Sequence, residues 1–238
     1  MIVCYTSKGW RVITQRAHGL LAGQICARWK PSDQPARWVD ILIATTEHDD
    51  VFNEFEQKQL IDANGAPINF NMTSFDLEAS NRLLDMSLTK SRYIALLISR
   101  HIAFTHGKDV DAKDFLHELK KKEKQWIREA GTTKDEIDQA YELLEFCDAF
   151  SLLICQEQIP PENRKIEISN GPDGQVYTFY QLEEALIVEP WPFEVDQFHI
   201  NYEIRQISEL KFNNDDAFRN ALKAARVNTI KLIISKAK

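Results

Sequence analysis

The sequence predicts an α+β fold that is mainly α: a helical bundle with a small antiparallel β-sheet from the C-terminal region. Three observations predict it. Apolar residues recur at helical spacing in most segments between Gln15 and Gln158. Pro160-Pro161 stops that pattern. From Lys165 to Ile207 the chain alternates and is rich in β-formers, with turn signals at Asn170-Gly171 and Asp173-Gly174. Residues 1–160 then form a helical unit with an N-terminal hairpin, and 161–238 a β-rich appendage with a C-terminal helix packed on it, the two making one compact unit.

The elements follow in order. Ile2-Val3-Cys4-Tyr5 and Arg11-Val12-Ile13-Thr14 flank Ser7-Lys8-Gly9 and read as a hairpin that could join the sheet. Gln15–Trp29 is helical, with His18, Leu21, Ile25 and Trp29 on one stripe, and Pro31 to Pro35 breaks it. Arg37–Asp49 is a second helix, its stripe leading from Trp38 through Thr45 to His48. Asn64-Gly65 marks a turn, and Ser74–Met86 a helix. Ser91–His106 places Ile94, Leu97, Ile98, His101 and Phe104 on one face. Asp111–Ala130 is a charged surface helix ended by Gly131; Thr133–Gln158 carries the stripe Tyr141, Leu144, Asp148, Leu152, Cys155. Strands are expected at Lys165–Ser169, Val176–Tyr180, Ala185–Val188 and Phe198–Ile207, and Asp215–Ser235 as a final amphipathic helix with Asp215 or Asp216 at its N-cap.

Composition excludes several classes. The 238 residues are 44% hydrophobic and 27% charged, with a net charge of -7 and a pI near 5.4. No broad basic field would draw nucleic acid or an anionic membrane; the run Lys120, Lys121, Lys122, Lys124 is flanked by acids and reads as a solvated face. Cys4, Cys26, Cys147 and Cys155 form no disulfide framework. On a helix Cys147 and Cys155 stand roughly 12 Å apart, too far to bridge. Free thiols and the absence of a signal-like start or a membrane-length apolar run lead to the expectation of a cytoplasmic protein.

Four polar positions interrupt the apolar stripes: His18, the doublet His48-Asp49, His101 and Asp148. Burying an unpaired polar or charged group costs several kcal/mol or more, so inward-facing groups from different helices must satisfy one another or a metal ion. Imidazole and carboxylate together suit zinc, manganese or iron, and a set that leaves coordination positions open is catalytic rather than structural. His18, His48, Asp49 and Asp148 are the expected ligands of a divalent ion. His101 stands beside them as further ligand or proton relay, so that Asp49 and His101 are the candidate catalytic groups. Adjacent helical residues diverge by about 100°, so His48 and Asp49 can share an ion only if the helix ends there. The rival reading is a metal-free polar core in which Asp148 pairs with Arg100 or His101.

A histidine on an early helix, a His-Asp doublet and a distant aspartate resemble the HD superfamily, mostly helical metal-dependent phosphohydrolases with a branch of di-iron oxygenases. That resemblance implies His18, His48, Asp49 and Asp148 as metal ligands, an HD-like bundle, and hydrolysis of a phosphate ester or related small molecule. The oxygenase alternative needs a further histidine; His106 is rotated about 140° from His101 on an ideal helix. Over most of its length the chain also resembles an uncharacterised bacterial domain-of-unknown-function family. The stretches that carry this are Ile13-Thr14-Gln15 through Gly23-Gln24, His48-Asp49-Asp50, Leu96 through His101, Asp148 through Leu152, and Pro190-Trp191-Pro192-Phe193.

Other features read as structural. His117 is expected on the surface, His199 at a strand start, and Trp191-Pro192-Phe193 between sheet and helices. Asn69-Phe70-Asn71 lies in a loop near the doublet, where substrate contacts often fall. Lys90, Arg92 and Arg100 could meet an anionic substrate. There is no GxGxxG, GxxxxGK, GxSxG or HExxH. The sequence therefore predicts a metal-dependent hydrolase with a small-molecule substrate, against an iron-dependent oxygenase or a non-catalytic protein with a buried polar network.

Overall fold

Hairpin β1 (Ile2–Thr6) and β2 (Gly9–Ile13) opens the chain in the computed structural model, which describes residues 1–237. Its turn requires Gly9: φ is +103°, and a Cβ would lie 2.2 Å from the Ile207 carbonyl oxygen. Thr14 then caps α1 (Gln15–Cys26), its side chain accepting from the Ala17 amide. Helix α2 (Trp38–Glu47) follows, then α3 (Leu77–Leu88), α4 (Arg92–His106), α5 (Lys113–Ala130) and α6 (Lys134–Cys155). Gly131 ends α5 in the left-handed conformation. Thr133 and Glu136 form a reciprocal capping box that starts α6. The remainder is β3 (Ile166–Asn170), β4 (Val176–Leu182), β5 (Ala185–Glu189), β6 (Gln197–Ile207), α7 (Asp215–Ala224) and β7 (Arg226–Ser235).

All the strands join one seven-stranded sheet in the order β1-β2-β6-β7-β5-β4-β3. Its pairings are antiparallel except β5 with β7. The expected helical bundle with a small antiparallel sheet is therefore wrong: the chain is a mixed fold in which a large mixed sheet stands beside the helices. The error traces to Asp215–Ser235. The helix there ends at Ala224, and Arg226–Ser235 is the strand that links β6 to β5. Val227, Thr229, Ile230, Ile233 and Ile234 are β-branched, which favours a pleated surface. The cap of α7 is Asn214; Asp215 instead accepts from the amides of Leu60 and Ile61.

The core forms where α1 and α6 pack on each other and reach the sheet through β6 and β3. Gln24 of α1 bonds both the backbone N–H and C=O of Asn201 on β6. Phe146 and Phe150 of α6 meet Tyr177 and Phe179 of β4. Trp191 and Phe193 pack with Phe198 of β6, and Phe193 also with Trp29 beyond α1. Helices α2 and α4 complete the cluster against α1 and α6. Residues from α1, α4, α6 and the end of α2 thereby converge. A smaller apolar cluster, Val12, Leu60, Ile207, Phe212, Phe218 and Leu222, underlies α7. Among the described residues no helix is long and apolar enough to cross a membrane.

Candidate metal centre

His48 stands immediately after α2, where the chain tightens into turns: the Asp50 amide bonds the Glu47 carbonyl, and the Phe52 amide that of Asp49. The helix thus ends at the doublet, and His48 and Asp49 turn to the same side. His18 projects from α1, His101 from α4 and Asp148 from α6. The structure brings these five side chains together, with His18 and His48 fully buried, His101 and Asp148 nearly so, and Asp49 at the more open edge.

Three donor atoms form a tight triangle. His18 Nε2 lies 2.9 Å and His48 Nε2 3.2 Å from Asp148 Oδ1, and the two Nε2 atoms are 3.2 Å apart. Asp49 Oδ2 is 3.7 Å from His48 Nε2, and Asp49 Oδ1 3.8 Å from His101 Nε2. Donors held at about 2.0–2.1 Å from one ion stand roughly 3 Å from each other, as the triangle does.

The tautomers are fixed from behind. His48 Nδ1 lies 2.8 Å from the Thr45 carbonyl, which can only accept, so Nδ1 carries the hydrogen. The Ser151 hydroxyl donates to the Asp148 carbonyl and so accepts from His18 Nδ1 at 2.8 Å. In both neutral rings the Nε2 lone pair faces the triangle, the arrangement of metal-binding histidines. Asp148 Oδ1 has no hydrogen bond of good geometry despite these neighbours, and His101 Nδ1 is buried without a partner. Buried His/Asp groups that can hold a metal ion are thus present: His18, His48 and Asp49, and His48, His101 and Asp148.

Electrostatics agree. Burial opposes a charge on His48, but the Asp148 and Asp49 carboxylates outweigh it and raise its pKa to about 9. Burial likewise opposes ionisation of Asp49, yet His48 and His101 bring its pKa down to about 2. Asp148, buried as deeply, is held well below the usual carboxylate range by His48 and His18. The cluster demands positive charge, supplied by a proton or by a metal.

The family model that matches residues 1–209, and so spans all five residues, is described as a protein of unknown function, DUF3891. The chain belongs to the DUF3891 family. No curated protein and no solved structure matches it.

In this DUF3891 protein several expected candidates stand elsewhere. His106 bonds Asp109 at 2.8 Å and packs on Phe75. Arg100 pairs with Glu123 and Asp138 rather than with Asp148. Lys90 pairs with Glu47 and Arg92 with Glu129. Asp50 pairs with Arg16, and Asn69 accepts from the Val3 amide. His117 and His199 are exposed. Burial pushes the Cys147 thiol well up, which removes it as a nucleophile. A cavity of about 330 Å³ lined by Leu96, Arg100, Leu119 and Trp126 contains none of the five residues.

The supporting groups of the DUF3891 centre escaped the stripe argument. Gln15 donates through Nε2 to Asp49 Oδ2 at 2.8 Å, while its backbone amide is held by buried Glu54. Ser151 and Gln15 each lie one turn from a charged or imidazole group of the site, whereas Thr45 serves His48 through its backbone carbonyl. That spacing was the available signal.

Proposed function

We propose that this DUF3891 protein is a metal-dependent hydrolase of the HD-like type, acting on a phosphate ester or a related small molecule. One observation carries the reading: the triangle of His18 Nε2, His48 Nε2 and Asp148 Oδ1, with both Nδ1 atoms already committed. His18, His48 and Asp148 would hold zinc, manganese or iron, with Asp49 as a further ligand. Such an ion supplies a water of lowered pKa and polarises a phosphoryl oxygen. Ser151 and Thr45 keep the two imidazoles turned toward it. Gln15 orients Asp49 through one carboxylate oxygen and leaves the other toward His101. His101, whose Nδ1 has no hydrogen bond and whose Nε2 lies 3.8 Å from Asp49 Oδ1, is placed to pass a proton beside Asp49. The oxygenase alternative loses its extra ligand, because His106 packs on Phe75 and belongs to neither His/Asp group that can hold an ion.

The test supplies manganese, zinc or iron to the purified protein and follows hydrolysis of 4-nitrophenyl phosphate and of its diester. Metal-dependent turnover is expected, abolished by Asp148→Asn and reduced about 10²–10⁴-fold by His101→Ala. Bound metal without turnover of either ester, or turnover unchanged in Asp148→Asn, contradicts the hydrolase reading. A second reading has one observation in its favour. With His48 raised to about 9, a proton can hold the triangle together in a metal-free core network.

A further inference from the structure

Beyond the donor atoms, α4 and α6 carry an aromatic ladder. Tyr141 lies two turns before Asp148 on the same face of α6, and Phe104 one turn beyond His101 on α4. The His101 and Tyr141 ring centroids are 6.3 Å apart, and those of Phe104 and Tyr141 6.2 Å. Exposure rises along it: His101 is 4% exposed, Tyr141 half-buried, and Phe104 62% exposed. The ladder therefore leads from solvent to the His–Asp cluster.

Two polar atoms on it are buried and lack any hydrogen bond, the Tyr141 hydroxyl and His101 Nδ1. Buried polar groups are almost always paired, so an unpaired Tyr141 hydroxyl on the approach to a site points to a ligand that pairs it. The Tyr141 phenolic O–H is a donor. The cations around the cluster are committed: Arg100 to Glu123 and Asp138, Lys90 to Glu47, Arg16 to Asp50. Asp49 and Asp148 already balance a divalent ion, so nothing is left over to neutralise a polyphosphate.

We propose that Phe104, Tyr141 and His101 form the substrate subsite, and that it takes an aromatic ester of a single phosphate. The aromatic ring lies against Phe104 and Tyr141, and a phosphate oxygen accepts from the Tyr141 hydroxyl. This rests on the hydrolase reading for the phosphate, which occupies the His–Asp centre.

Metal-loaded protein is titrated calorimetrically with phenylphosphonate and with methylphosphonate, neither of which is hydrolysed. Phenylphosphonate is expected to bind about tenfold more tightly, as an aromatic contact implies. Phe104→Ala, a change at an exposed position, abolishes that preference, and Tyr141→Phe weakens both ligands about five- to tenfold. The metal content of both variants stays that of the parent protein. Equal affinities, binding of neither ligand, or a preference retained in Phe104→Ala overturns the subsite. Preference without hydrolysis of any ester sinks the hydrolase reading and leaves the subsite, whereas hydrolysis without preference does the reverse.

Discussion

His18 and His48 face each other through their Nε2 atoms at 3.2 Å, while the Nδ1 of each is bound to Ser151 or to the Thr45 carbonyl. Two neutral imidazoles fixed in this way oppose their lone pairs in a buried site. A cation shared with Asp148 relieves that opposition, and the predictions below follow from which cation it is.

Ser151→Ala removes the acceptor that holds His18 in its tautomer. Metal affinity should fall about 10–100-fold, as for other groups that orient a ligand histidine. Stability should fall by about 1–2 kcal/mol, because the His18 N–H is left buried and unpaired. Metal titration and urea unfolding of the variant measure the two effects.

The pH dependence follows from His48, whose folded pKa of about 9 lies above its ordinary 6.5. Its contribution to stability is full below 6.5 and is lost as pH rises through about 9. Metal-free protein should lose urea resistance across that window, and metal-loaded protein should not. An incoming ion must displace the same proton, so apparent affinity should rise about tenfold per pH unit until about pH 9. An affinity flat with pH would show that no such proton is displaced.

The approach of α1 to α2 sets the distance from His18 to His48. A Cβ on Gly19 would lie 2.5 Å from the Thr46 carbonyl oxygen, and one on Gly23 2.3 Å from the Thr46 hydroxyl. Gly19→Ala must push backbone from backbone and should cost about 1–3 kcal/mol together with metal binding. Gly23→Ala meets a side chain that can rotate, though at the loss of its 2.8 Å bond to the Leu42 carbonyl. It should be the milder of the two by thermal melting and metal content.

Glu145 lies one turn before Asp148, and burial lifts its pKa to about 7 with Asp148 adding to the rise. A carboxyl raised in the folded state stabilises below its ordinary 4.5 and costs stability as pH climbs through about 7. Glu145→Gln should therefore stabilise metal-free protein at pH 8 by about 1 kcal/mol, solvent screening included, and have less effect at pH 5. Paired urea titrations at the two pH values test this.

The gathering of the His–Asp residues was legible because each one broke an apolar helical stripe, and the turn after Glu47 explains how both members of the doublet serve one cluster. Their supports were not legible. Ser151 and Gln15 look like ordinary polar residues until the third dimension sets them beside His18 and Asp49. The sheet was underestimated for a different reason: Arg226–Ser235 follows a strongly amphipathic helix, and its β-branched alternation was absorbed into that period. What makes it a strand is long-range pairing with β6 and β5, which local pattern does not encode.

The most direct test of a metal centre is elemental analysis of the purified, untagged protein beside His48→Ala. The account predicts near-stoichiometric zinc, manganese or iron in the parent chain, lost in a variant that remains folded by circular dichroism. No metal after incubation with each ion, or metal retained in His48→Ala, would contradict it and leave the cluster as a proton-bridged core network.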